Sequence, residues 1–333
     1  MLQRTAGGRG PRIVAVFVAA MLFNALSARM LYAQTCSTDA QICANAVFCS
    51  GFEEGSKAIW DDYDGNPDST NLLMTDAGPC NRSGNHVMRM RVPAGRGAAD
   101  LVKVLPSAHD KLYARWYEKW EPGYDFTANN HGGGLFAGSR DFLGQSGIRP
   151  TGADFYTAWF EPLAGTWNGQ NLTGIPHFYS YYRGMYQQCS DPNGNCFGDS
   201  LPCMYDEGSG FCTKAADRER ITPPRLQTGR WYCVEVLLDG GTPSSNGVGA
   251  TGTQDFWIDD VEYGPWTNLW HRTTTNVKVD ILYLSLFFHE NHSVEGVMLD
   301  DVVVATQKIG CHGSAGGSLP SAPTNLRIIA GEE

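Results

Sequence analysis

Beyond residue 50 the chain is a succession of short runs in which apolar and polar residues alternate. Each run is closed by Gly, Pro, Asn or Asp, and no amphipathic helix longer than three turns interrupts them. A two-residue period suits a strand with one face inward, so the pattern predicts an all-β sandwich. The clearest run is His86 to Val92, with Val87, Arg89 and Arg91 on one face and His86, Met88, Met90 and Val92 on the other. In Lys111 to Trp120, Leu112, Ala114, Trp116 and Trp120 share one face, and Tyr113, Arg115, Tyr117 and Lys119 the other. Further strands are predicted over 155–160, 176–186, 231–238, 254–262, 277–289 and 297–306.

The start of the chain belongs to no strand. Arg4, Arg9 and Arg12 precede an apolar run from Ile13 to Leu26, and Ala33 offers a small residue for cleavage. This order is that of a secretory signal, expected over 1–33. Its apolar run is shorter than the roughly 20 residues of a spanning helix, so the processed protein is expected to be secreted or periplasmic, with no membrane partner. Removing the four arginines of that segment, which holds no acid, takes the formal charge from −10 to −14. Such a balance argues against nucleic acid as a partner.

All ten cysteines lie beyond the signal, an even number in an exported chain, and disulfides are expected in pairings the sequence does not specify. Zinc is the weaker alternative, because no C-x-x-C pair is present. The expected organisation is a Cys-rich lead-in over 34–50 and one sandwich domain over 51–312. A disulfide-rich excursion falls at 185–225 and a linker-like tail at 313–333. Asp191, Asn193 and Asn195 are spaced like a calcium loop, but Cys196 stands where its glycine belongs, and a disulfide turn is preferred.

Several groups could carry chemistry. Arg89, Arg91, Arg115 and Lys119, interleaved with Tyr113 and Tyr117, offer cations and flat rings to an anionic sugar chain. The run Asn129-Asn130-His131-Gly132-Gly133-Gly134 places a histidine beside glycines that permit a sharp turn or close backbone approach. On one predicted strand, His177, Tyr179, Tyr181 and Arg183 share a face. Glu53 and Glu54 open the sandwich while Asp300 and Asp301 close it. If first and last strands pair, these four become candidates for a structural calcium.

The stretch from Tyr113 to Gly138, YARWYEKWEPGYDFTANNHGGGLFAG, resembles the central signature of polysaccharide lyase family fourteen and related jelly-roll lyases. Gly229-Arg230-Trp231-Tyr232, Phe256 to Val261, and Leu284 to His289 are similar to later strands of that group. The resemblance spans about residues 85 to 310. It implies a concanavalin A-like jelly roll and cleavage of a uronate-containing polysaccharide by β-elimination in a monomer, with no cofactor required. By position His131 falls where the family has a loop lysine, and Tyr179 and Tyr181 match its Tyr-x-Tyr strand. The family's Ser-x-Arg pair falls near Asp154 and Tyr156 and is not preserved. The implied roles are base and acid for Tyr179 or Tyr181, and carboxylate neutralisation by His131 with Arg115 or Arg89. Arg91, Tyr117, Lys119, His177 and Arg183 are expected to bind substrate. A non-catalytic, lectin-like jelly roll is the alternative. A laminarinase-type hydrolase is less favoured, because Ile258 stands where the first of its paired acids belongs.

Overall fold

A computed structural model describes residues 43, 46–63, 71–81, 84–95, 97–145, 147–167, 169–186, 196–203, 222–289 and 295–311. The expected signal, most of the Cys-rich lead-in, most of the 185–225 excursion and the tail lie outside these residues. The described residues form two large antiparallel sheets and a small two-stranded one at 166–167 and 170–171; the large pair make the β-sandwich that the alternation predicts and the concanavalin A-like jelly roll that the resemblance implies.

The first sheet has nine strands. Its main path runs 261–262, 252–258, 232–239, 111–120, 295–305, 86–92 and 71–75. The 48–50 strand joins 295–305, and the 266–269 strand joins 252–258. The second sheet has eight, in the order 199–201, 176–180, 155–162, 133–138, 279–288, 97–109 and 62–63. The short 130–131 strand pairs with 279–288. First and last strands do pair, Ser50 opposite Val302 and Phe48 opposite Val304.

Between the sheets the inward residues interdigitate. Phe178 and Phe160 of the second sheet meet Phe256 of the first edge-on, at centroid distances of 5.2 and 5.3 Å. Such contacts add to the gain from removing the rings from water. Phe160 and Phe178 face this core, so their neighbours Glu161, His177 and Tyr179 project from the outer face of the second sheet.

The turn at Asp259-Asp260 carries positive φ at both residues, 51° and 65°, and links 252–258 to 261–262 as a tight hairpin. Two successive positive φ values define a turn whose twist matches that of paired strands, and Asp tolerates it better than most residues.

Two segments differ from the sequence reading. Gly133–Gly138, whose glycines permit close backbone approach and a sharp turn, uses the first and forms a central strand between 155–162 and 279–288. Its glycines let backbones approach: a Cβ on Gly133 would lie 2.1 Å from the Tyr283 carbonyl, and one on Gly132 2.1 Å from that of Phe160. The strand beginning at Pro176 ends at Ser180 rather than continuing to 186.

Disulfides join Cys43 to Cys49 and Cys233 to Cys311. The second ties the segment after the last strand to the outer face of the first sheet, where Glu235 accepts the Ile309 and Gly310 amides at 2.6 and 2.8 Å. It spans 78 residues. Replacing both Cys233 and Cys311 by Ser is therefore expected to cost roughly 2–5 kcal/mol of stability, read as a lower denaturation midpoint with an intact far-ultraviolet β spectrum.

Candidate active site

The outer face of the second sheet carries a cavity of about 400 Å³. His131, Glu161, His177, Tyr179, Ser200 and His289 supply much of its polar lining. Three neighbouring strands set this up. Glu161 pairs directly with His177 across 155–162 and 176–180, and Tyr179 pairs with Ser200. His131 reaches the same face from 130–131, where it pairs with Phe287.

Glu161 is the organising charge. One of its oxygens accepts the Gly132 amide at 3.0 Å and lies 3.1 Å from His131 Nδ1; the other lies 3.5 Å from His177 Nε2. Burial would raise this carboxyl's pKa, but the charges and hydrogen bonds of His131 and His177 prevail and hold it at about 2. For His131, burial opposes the cation, yet the charge and hydrogen bond of Glu161 outweigh it and raise the imidazole's pKa. Ser200 gives its one proton to the Pro202 carbonyl at 3.0 Å, so it accepts from His177 Nδ1 at 2.9 Å. That fixes the second ring from behind.

The imidazole of His131 stacks on the Tyr179 ring, with centroids 5.0 Å apart and planes 20° off parallel. His289 meets His131 edge-on at 4.7 Å. Tyr179 keeps its hydroxyl 2.9 Å from that of Tyr181. Tyr181 lies behind it, fully buried, accepting the Gly147 amide at 3.0 Å and donating to the Cys196 carbonyl at 3.3 Å. Burial is the main cause that raises both phenols' pKa values, so each rests as a neutral phenol. The two tyrosines are adjacent, as the sequence pattern requires, but only Tyr179 lines the cavity.

The basic residues expected beside this pair are elsewhere. Arg89, Arg91, Arg115, Tyr117 and Lys119 occupy the outer face of the first sheet, across the sandwich from His131. There Arg89 pairs with Glu121 at 2.6 Å and Arg91 with the same acid at 3.8 Å. Lys119 pairs with Asp76 at 3.0 Å. Arg115 is only 1% exposed, its guanidinium 5.3 Å from the Tyr117 ring. Arg183 lies past the end of its strand, 5.1 Å over Trp270. Alternation gives the face of a strand correctly, but it does not say which strands share a sheet.

The four terminal acids are not gathered into one cluster. Glu53 is 3.3 Å from His86 Nδ1, Glu54 accepts from Ser50 at 3.2 Å, and buried Asp300 accepts from Asn85 at 2.9 Å. Asp301, also buried, donates its amide to the Asp300 side chain at 2.7 Å. Among the described residues no three His, Cys, Asp or Glu side chains converge as metal ligands. The Asp191, Asn193 and Asn195 run lies outside the described residues.

Glu161 was missed from sequence. The one available signal is an acid inside the otherwise apolar or neutral run Phe155 to Pro162, all eight residues of which are buried.

The two antiparallel sheets make a jelly roll, and that fold is similar to the one seen in solved polysaccharide lyases. The solved structure of alginate lyase vAL-1 from Chlorella virus is similar over 79% of this chain and 100% of that one, at 13% identity and a TM-score of 0.53. The marine PL-14 alginate lyase from Aplysia kurodai is similar over 79% of this chain and 97% of its own, at 13% identity and a TM-score of 0.51. At these identities the likeness is one of fold. No protein-family model and no curated protein matches the sequence.

Proposed function

We propose that the protein is a secreted lyase that cleaves a uronate-containing polysaccharide by β-elimination. The observation that carries this reading is the contact between the neutral phenol of Tyr179 and a His131 imidazole whose proton Glu161 retains, both on the wall of one cavity.

Elimination breaks the C5–H and C4–O bonds of the sugar and forms the C4=C5 double bond. The uronate carboxylate must be neutralised, a base must take the C5 proton, and an acid must protonate the expelled oxygen. In this reading the His131 cation faces the carboxylate, aided by the side-chain amide of Asn129, which also lines the cavity. Tyr179, whose hydroxyl donates to the Tyr181 oxygen in the free protein, turns that proton to the leaving oxygen. His289, edge-on to His131, accepts the C5 proton. His177 acts by positioning, because Ser200 and Glu161 occupy its two nitrogens. Tyr181 supports the Tyr179 hydroxyl from behind. The chain's own groups supply every step, so the reaction needs no metal or organic cofactor. Secretion follows from the basic, apolar and small-residue order at the N-terminus.

One observation favours a non-catalytic, lectin-like role instead: among the described residues no Arg or Lys lines the cavity, whose wall includes the Glu161 carboxylate. Incubation with a panel of polyuronates separates the two readings. A lyase releases chains with a new ultraviolet-absorbing double bond, and His289→Ala is expected to slow that release at least 100-fold. Binding of a polyuronate with no such absorbance would make the protein a lectin.

A further inference from the structure

We propose that Phe197 is the sugar-stacking platform of this cavity and that it favours equatorially linked polyuronates over diaxially linked ones. The inference rests on the reading of the cavity as a polysaccharide site. Among the described residues, the exposed large apolar side chains are Ile59, Val104, Tyr186, Phe197, Val248 and Val261. Of these six, Phe197 alone lines the cavity, and it is 47% exposed.

Its backbone is held on both sides. Cys196 before it is fully buried and disulfide-bonded, and donates its amide to the Gly147 carbonyl at 3.1 Å. Gly198 after it packs so closely on the next strand that a Cβ would lie 2.9 Å from the Ser180 carbonyl. A ring on so fixed a mount loses little freedom when a ligand covers it. The cavity is also two-sided in chemistry. Phe197, Pro162, Leu163 and Ala164 form apolar wall, while Asn129 and His289 offer polar groups. A pyranose has the matching character, with C–H bonds on its ring face and hydroxyls around its edge.

Linkage geometry then matters. In an equatorially linked glucuronate chain the substituents lie in the ring plane, and each ring presents a flat face of axial C–H bonds to an aromatic ring. In a diaxially linked guluronate chain the glycosidic oxygens stand on the ring faces and obstruct that contact. An aromatic platform therefore discriminates by linkage, without a charged group.

The test compares wild type, Phe197→Ala and Phe197→Tyr on polyglucuronate and polyguluronate. Affinity is read by calorimetry and double-bond formation by absorbance on the same samples. Wild type is expected to prefer polyglucuronate. Phe197→Ala should weaken that binding and raise KM roughly five- to tenfold, with a much smaller effect on kcat, and should narrow the preference; Phe197→Tyr should restore both. Equal affinity of Phe197→Ala and wild type, or a wild-type preference for polyguluronate, overturns the proposal. If wild type binds but forms no double bond, the lyase reading fails while the affinities still judge Phe197. If wild type binds neither polymer, both fail.

Discussion

Tyr179→Phe is expected to lower kcat on a susceptible polyuronate roughly 100- to 10,000-fold, the range over which a positioned proton donor contributes. The substitution removes one oxygen. The ring stays, and so does its stacking on His131 at 5.0 Å, so the thermal midpoint should fall only by the loss of the hydroxyl's contacts with Tyr181 and the Gly198 amide. Tyr181→Phe provides the contrast. It removes the acceptor of the Gly147 amide and the donor to the Cys196 carbonyl, both buried. Stranding such groups costs about 1–3 kcal/mol each, so the main effect should be on stability, with a smaller fall in kcat. If Tyr179→Phe turned over like wild type, or Tyr181→Phe lost more kcat than Tyr179→Phe, the proton donor would have to be sought elsewhere.

Glu161→Gln should have the second largest effect, and it should depend on pH. The carboxyl titrates at about 2 in the folded protein against an ordinary value of 4.5, so the stability it contributes is present above 4.5 and is lost as pH falls toward 2. For His131 the sign is opposite. Its folded pKa is raised above 6.5, so its contribution is complete below 6.5 and is lost as pH rises through the raised value. Both are at full strength only between about 4.5 and 6.5. Breaking the pair leaves a half-buried imidazole without its counter-charge, a change worth about 1–3 kcal/mol. Melting curves of wild type and Glu161→Gln should therefore differ most in that interval and converge at alkaline pH. If His131 serves as the cation, the alkaline limb of the activity profile should shift to lower pH in the variant. A difference between the two proteins that did not change with pH would break the argument.

The strands whose outward and inward residues differ sharply were legible from sequence. His86–Val92 and Lys111–Trp120 form with the bounds and the faces that alternation assigns. The 13-residue strand Gly97–His109 was not, because its small residues and Pro106 carry no strong periodicity. Its extended state is set by its neighbour, 279–288. Glu118 shows the same limit within one strand. It has the parity of Trp116 and Trp120, so it points into the sandwich, where burial pushes its carboxyl up to about 8 despite a hydrogen bond from Trp116 Nε1. Of the site, His131, His177 and Tyr179 could be nominated because their residue types suggest chemistry. Glu161 could not, because its meaning depends on His131, 30 positions away, and on a cross-strand pairing with His177 that no local pattern encodes. The arginines failed for a related reason: a cation's usefulness depends on which of two sheets holds its strand.

Residues 48–50 and 302–304 run side by side in the nine-stranded sheet, and Cys311 is bonded to that sheet's outer surface. The opening in front of Tyr179 belongs to the other layer. A tether or resin attached at the outer surface of that sheet would thus leave the opening in the other sheet clear for a long polymer.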